Sequence, residues 1–286
     1  MVSIAAVTMT YNEPEYLPVW MRYYSTQLGA SNLFIIDHGS DDGSTSDSCG
    51  ANIIRIPRSA KDNQRRTDAV STLCRFLLQW YDVVIHTDCD ELAVADPAYY
   101  SSLHDYCSTM SGDVITAIGL DVYHTQAEHH AVDLTMPILQ QRRYVRFSSS
   151  MCKPVVIRKP VTWAAGFHSC EEKVHFDRLF LFHLRYFDND IGLKRLFRTR
   201  SMAWASPEAG AHQRLPDEQY KVMVERAARL PQNDNVTFDQ SDSVLLEYCR
   251  RVLATEVDAQ PPRYRIDLHI FGHEQWRIPD RFLNCF

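Results

Sequence analysis

The apolar run Val83-Val84-Ile85 and the residues after it, His86-Thr87-Asp88-Cys89-Asp90-Glu91, constrain this chain more than any other stretch. The apolar run reads as a buried strand that ends where the polar residues begin. Its end presents Asp88 and Asp90 at i and i+2, which extended backbone places on one side. Two carboxylates held that close repel each other unless a cation sits between or beside them. Their oxygens suit Mg2+ or Mn2+, and Mg2+ sites commonly combine one or two carboxylates with substrate phosphates. A strand-end metal site that receives a phosphorylated ligand is the expectation; a solvated acidic turn is the alternative.

The preceding residues favour the site. Residues 2–9 form a strand candidate that ends in Thr10-Tyr11-Asn12-Glu13-Pro14. Asn12 suits a helix N-cap and Pro14 a first helical turn. Leu17, Trp20, Met21, Tyr24 and Leu28 recur at helical spacing, and Gly29 closes that helix. Leu33-Phe34-Ile35-Ile36 is a second strand, running into the turn-forming loop Asp37-His38-Gly39-Ser40-Asp41-Asp42-Gly43-Ser44. Ile53-Ile54-Arg55-Ile56 is a third strand, and a helix from Asn63 carries Val70, Leu73, Leu77 and Tyr81. This alternation implies βαβ units and a mostly parallel central sheet flanked by helices, an α/β fold. Such sheets bind ligands at the carboxyl ends of their strands. Here those ends carry Thr10–Glu13, Asp37–Ser44, Arg58–Arg66 and Asp88–Glu91, so the polar clusters converge on one edge. A dinucleotide fingerprint or a P-loop after the first strand would need glycines there, and the chain has none before Gly29.

In this order, strand–Thr-Tyr-Asn-Glu, strand–Asp-His-Gly-Ser-x-Asp-Gly-Ser and strand–Asp-x-Asp-Glu, the chain resembles the nucleotide-sugar-dependent glycosyltransferases of the GT-A fold. The resemblance covers roughly residues 2–200 and points to family-2-like enzymes and the related family-92-like group. It implies a Rossmann-like GT-A domain whose Thr10, Tyr11, Asn12 and Glu13 line the nucleoside pocket, with Asp37 on the base. Arg65, with Lys61 or Gln64, would sit near the diphosphate. Asp88 and Asp90 would hold a divalent metal bridging that diphosphate, with Asp88 also on the donor. His38 stands where the commonest family-2 pattern has a second Asp.

A histidine late in the catalytic core completes the metal shell in this resemblance. His183, inside the apolar run Leu179–Phe187, takes that role, with His168 of Gly-Phe-His as the alternative and a catalytic candidate. Either suits Mn2+, which accepts imidazole more readily than Mg2+ does. Glu171 and Glu172 are the candidate general bases, at a separation from the metal motif similar to that in family-2-like enzymes, and Asp121 is a weaker one. An exposed charged turn is the plainer reading of Glu171-Glu172-Lys173. His124, His129 and His130 read as an acceptor-side loop rather than a metal site.

Further strands are expected at 114–118 and 153–158, and a short helix within 96–107. Residues 1–188 are expected to form the catalytic domain. Residues 189–286 are expected to form a helical C-terminal region packed on it, with helices at Ile191–Met202, Asp217–Leu230 and Ser243–Val257. The first of these is basic, with Lys194, Arg195, Arg198 and Arg200, and could clamp phosphate or merely face solvent.

The net charge of −6 argues against nucleic-acid binding. No stretch reaches the roughly 18 uninterrupted apolar residues of a membrane span. Val2–Met9 lacks a basic n-region, so it reads as a strand and not a leader. The cysteines form no Cys-x-x-Cys and read as reduced thiols of a cytoplasmic protein, one able to work at the inner membrane face. The expected partners are a nucleotide-sugar donor, a UDP-sugar above all, and a glycan or lipid-linked acceptor. The rival readings are a nucleotidyltransferase and a non-catalytic sugar-binding or partner-binding member of the same fold.

Overall fold

The computed structural model describes residues 2–128, 130–208, 210–259 and 263–286. Strands β1 (Ile4–Thr10), β2 (Leu33–Asp37), β3 (Asn52–Arg55) and β4 (Val83–His86) are parallel and lie in the order β3-β2-β1-β4. Helix α1 (Tyr16–Leu28) crosses from β1 to β2, and α2 (Asn63–Leu77) leads from β3 to β4. Parallel pairing brings the carboxyl ends of these strands to one edge, as the βαβ pattern requires.

Beyond β4 the sheet becomes mixed. The chain continues through β5 (Glu91–Ala95), α3 (Leu103–Thr109), β6 (Val114–Tyr123), α4 (Ile138–Gln141), β7 (Tyr144–Phe147), β8 (Pro154–Ile157) and β9 (Phe176–Tyr186). β8 is antiparallel to both β4 and β6; β9 runs parallel to β6 and antiparallel to β5. β5 and β7 had no periodicity to announce them, because β5 is buried throughout and β7 is only four residues long.

The C-terminal residues supply α5 (Asn189–Ser201), α6 (Asp217–Ala228), β10 (Gln232–Asn233), α7 (Ser243–Ala254), β11 (Val257–Ala259), β12 (Arg263–Arg265) and β13 (Gln275–Arg277). The helices fall where the spacing predicts. The same residues also extend the sheet, with β13 antiparallel to β7 and β10 beside β13. Phe238, Trp276, Phe282 and Phe286 lie in the same apolar core as Trp20, Tyr24 and Phe182. Among the described residues no helix is long and apolar enough to cross a membrane.

Two local details depart from the expectation. Helix α1 begins after Glu15, so Asn12 does not cap it. Asn12 instead adopts a left-handed backbone (φ 53°) and exchanges hydrogen bonds with Asp41, its Nδ2 donating at 2.7 Å and its Oδ1 accepting from the Asp41 amide at 3.0 Å. A short polar side chain can stabilise that conformation locally.

Gly119 in β6 is the glycine that the packing demands. A Cβ there would lie 2.4 Å from the Met151 carbonyl carbon and from the Ser148 oxygen. Gly119→Ala should therefore destabilise the protein by about 1–3 kcal/mol through overpacking. A thermal melt equal to that of the parent would contradict this packing.

Candidate functional site

After His86 the chain turns, and the turn is pinned from α1. Trp20 Nε1 donates to Thr87 Oγ1 at 2.9 Å, the Tyr24 hydroxyl lies 3.2 Å from that oxygen, and the Ala93 amide donates to the Tyr24 hydroxyl at 3.0 Å. The turn cancels the side-by-side placement that extended backbone would give Asp88 and Asp90, and the two carboxylates face different elements. Asp88 pairs with Arg66 of α2, and its other oxygen lies 3.6 Å from Lys153 Nζ. Asp90 pairs with Arg195 of α5 and lies 3.2 Å from His183 Nε2.

The group that could hold a divalent metal is therefore Asp90, Glu91 and His183. All are buried, and one ligand atom from each lies within 4.8 Å of the others. Strand register builds it, since Glu91 of β5 sits opposite His183 of β9. His183 Nδ1 lies 2.6 Å from Asp121 Oδ1, a carboxylate that can orient the ring and leave Nε2 for a metal. Burial opposes a proton on His183, but Asp121 and Asp90 outweigh it and push the imidazole up to about 9. Two carboxylates and an imidazole form a donor set that fits Mn2+ better than Mg2+. Asp88 stands outside the group, contrary to the sequence expectation, because Arg66 and Lys153 hold its carboxylate; Glu91 takes its place.

Basic side chains surround these acids. Lys153 Nζ donates to Glu91 Oε1 at 2.5 Å and is buried. Burial works against its charge, yet Glu91 and Asp88 hold its pKa above the usual lysine value. Arg195 reaches down from α5, with Nε and a terminal nitrogen 2.9 and 2.8 Å from Glu13 Oε1 and its plane 4.4 Å from the Tyr16 ring. Burial disfavours the charge of Asp90, but Arg195 and His183 hold its carboxyl well below the usual range. Burial likewise opposes charge on Asp88, and Arg66 and Lys153 overcome it. The basic run of α5 signalled Arg195. Lys153 gave no signal, being a lone lysine before an apolar strand.

The residues expected at the nucleoside end fare unequally. Thr10 ends β1 and Tyr11, Asn12 and Glu13 follow it, and Arg58 lies over the Tyr11 ring at 3.5 Å. Asp37 is fully buried and already accepts from the Ser40 amide (2.7 Å), Thr45 Oγ1 (2.9 Å) and Arg55 (2.6 Å). Its carboxylate organises the following loop and is closed to a base, which corrects its expected role. Lys61 faces inward; burial, with Arg66 and Arg195 adding, pushes its pKa down to about 8, and its Nζ donates to Gln213 at 2.9 Å. Gln64 points along the exposed face of α2 to Asp68 at 2.8 Å. Arg65 is exposed, and Arg66, one residue on, turns to Asp88.

The expected bases lie elsewhere. Glu172 pairs with Lys159 at 3.0 Å, and Lys159 also faces Asp113 at 3.8 Å. Lys159 follows β8 and Asp113 precedes β6, so both mark the sheet edge opposite Asp88. Glu171 is exposed and accepts from the Thr162 amide at 2.8 Å. Neither carboxylate belongs to the metal group. His168 follows the 3-10 turn Ala165–Phe167, its Nδ1 2.8 Å from the Ser150 carbonyl. Asp121 is engaged with His183. His124 Nε2 lies 2.5 Å from the Glu128 carbonyl, as a loop residue; His129 lies outside the described residues.

His86 packs in tilted contact with the rings of Phe167 (4.1 Å) and Trp163 (5.5 Å), and its Nε2 has no hydrogen-bond partner. Burial, with Arg66 and Lys153 adding to it, lowers its pKa to about 3. The unfolded chain then binds more protons than the folded one between the ordinary histidine value of about 6.5 and 3. Stability from this group is complete above that window and is lost as pH falls through it. His86→Phe should keep the aromatic packing and flatten the acid limb of a stability–pH curve between pH 6 and 4; an unaltered limb would contradict the assignment.

This geometry defines an α/β protein with a buried, cation-ringed carboxylate–imidazole group at the carboxyl edge of its parallel strands. No family model matches the sequence, and no curated protein matches it. Among solved structures, the chain is similar to mannosyltransferase PcManGT from Pyrobaculum calidifontis in complex with GDP-Man and Mn2+, at 14% identity over 45% of this chain and 37% of that one, with a TM-score of 0.29. It is similar to glucosyl-3-phosphoglycerate synthase from Mycobacterium tuberculosis in complex with Mn2+, UDP and glucosyl-3-phosphoglycerate, at 17% identity over 44% of each chain, TM-score 0.28. A third is CMP:2-keto-3-deoxy-manno-octonic acid synthetase complexed with CTP, at 11% identity over 77% of this chain and 85% of that one, TM-score 0.30. The chain spans less than half the length of the first two. Likeness at these TM-scores carries no conclusion about activity, which rests on the site.

Proposed function

We propose that the protein is a metal-dependent glycosyltransferase of the GT-A type that moves a sugar from a nucleoside-diphosphate sugar to a hydroxyl acceptor. The observation that carries this reading is the buried Asp90–Glu91–His183 group at the edge where the polar ends of β1, β2 and β4 meet. A divalent cation bound there, Mn2+ by preference, would supply Lewis-acid stabilisation of the departing diphosphate.

The chain's own residues have distinct parts in this scheme. Glu91 and Asp90 hold charge for the metal, and Asp121 fixes the His183 ring. Arg66, Lys153 and Arg195 supply fixed positive charge beside a leaving group that gains negative charge, which favours the transition state over the ground state. Tyr11, with Arg58 across its ring, forms a wall for the nucleoside. Residues 1–188 would hold the donor, and 189–286 would roof the site through Arg195. A UDP-sugar donor, a glycan or lipid-linked acceptor, inversion at the anomeric carbon and a cytoplasmic setting at a membrane face complete the reading. A nucleotidyltransferase would use a glycine-rich, basic loop after β1, and Thr10–Pro14 is not one.

Thermal melting with UDP and with GDP, each with and without Mn2+, tests this. One nucleoside diphosphate should raise the melting temperature in a Mn2+-dependent way, by about 2.7 kcal/mol of stability at a hundredfold excess over Kd. No shift with any nucleotide would end the reading.

A further inference from the structure

Register aligns four charged residues across four strands. Glu91 of β5 sits opposite His183 of β9, His183 beside Asp121 of β6, and Asp121 opposite Arg146 of β7. In-register residues project from the same face of a sheet. The row therefore runs from the metal group at one end to Arg146 at the other. Neighbouring strands are about 4.8 Å apart, so Arg146 lies about 10 Å across the sheet from His183.

Arg146 lines a cavity of about 680 Å³ between α6 and the turn before β13. That is the size of a small-molecule pocket. Helix α6 contributes Glu218, Val222, Met223 and Arg226 to it, and the turn contributes His273. Arg146 is oriented by its Nε, which donates to the Gly272 carbonyl at 2.7 Å, and its plane lies 5.1 Å from the Phe271 ring. Arg146 and Arg226 line the cavity with one carboxylate, Glu218, which also pairs with Lys221 at 3.3 Å, so positive charge is in excess and an anion is favoured there. Guanidinium forks match phosphate oxygens in pairs. Beside the metal group, Tyr186 stacks on the buried Tyr123 at 5.0 Å and borders His183 at 6.1 Å.

We propose that this cavity holds the acceptor and that the acceptor carries a phosphate group, seated on Arg146 and Arg226, with its reacting hydroxyl about 10 Å away at the metal group. The proposal rests on the glycosyl-transfer reading for the word acceptor; the phosphate site stands on the cavity alone. Phosphate could come from a soluble sugar phosphate or a lipid headgroup, and the probes separate these.

The test is calorimetric titration of the full chain with glucose 6-phosphate, and co-sedimentation with phosphatidylcholine vesicles with and without phosphatidic acid. Wild type should bind one of them. Arg226→Gln, an exposed substitution on α6, and Arg146→Gln should each weaken that binding about tenfold while leaving the nucleotide–Mn2+ melting shift intact. Glu218→Gln should strengthen it. A wild type that binds neither probe, or binding indifferent to both arginine substitutions, overturns the proposal. Arg226-dependent phosphate binding without any nucleotide–Mn2+ shift in wild type would overturn the acceptor role through loss of the transferase reading, and not through the cavity.

Discussion

Asp90→Asn should abolish the Mn2+-dependent stabilisation by a nucleoside diphosphate and lower sugar transfer by about a thousandfold or more. The substitution keeps the size of the side chain and removes its charge. Asp90 is the carboxylate that faces His183 at 3.2 Å, and it also takes the Arg195 guanidinium. Asparagine offers a metal a weaker oxygen and offers Arg195 no charge. Asp88→Asn is the informative comparison. Its carboxylate lies with Arg66 and near Lys153, outside the group that could hold the ion. It should therefore spare Mn2+ affinity far more than Asp90→Asn does. Equal loss of Mn2+ affinity in both variants, measured by titration, would show that the group is wrongly drawn. Retention of the nucleotide–Mn2+ shift in Asp90→Asn would remove the metal assignment altogether.

What the sequence disclosed here follows from local physics. The alternation of apolar runs with helical periodicity specifies β1, α1, β2, β3, α2 and β4, and parallel pairing then fixes which chain ends meet. The polar clusters at those ends were legible for that reason. His183 was legible as an imidazole inside an apolar strand only through the family pattern, since a core histidine looks the same in sequence. The differences have a common cause. Alternation groups Asp88 with Asp90 because it assumes extended backbone, and the chain turns at that point. Glu91 carries no local signal because its partner, His183, is 92 positions away and is set opposite it by strand pairing alone. The same holds for Lys153, whose ion pairs with Glu91 and Asp88 span the whole of β5 to β7. For Glu171 and Glu172, separation along the chain does not say on which edge of a sheet a loop returns. Asp37 was expected at a ligand, but the loop it precedes supplies it with donors of its own.

Arg195→Met should lower stability by about 3–5 kcal/mol in metal-free protein, because it leaves buried charge without its partner. For a chain of this size that is a fall in melting temperature on the order of 10 °C. The reasoning starts from what Arg195 contacts. Glu13 is 8% exposed and Asp90 4%, and the guanidinium reaches both. Methionine keeps much of the apolar stem that packs near Tyr16 but brings no charge. Burial already raises the pKa of Glu13 against the pull of Arg195, so without the arginine the folded state must protonate that group or bear an isolated charge. Asp90 keeps His183 as a partner, which limits the loss. A divalent cation supplies positive charge to the same carboxylate. Mn2+ should accordingly stabilise Arg195→Met more than wild type, where the ion must share Asp90 with the guanidinium. Arg195→Lys should fall between the two, since an ammonium restores the charge without the paired donors. Melting curves with and without Mn2+ decide the matter: coincident wild-type and Arg195→Met curves without metal, or a gap that Mn2+ widens, would show that Arg195 does not neutralise the acids of this site.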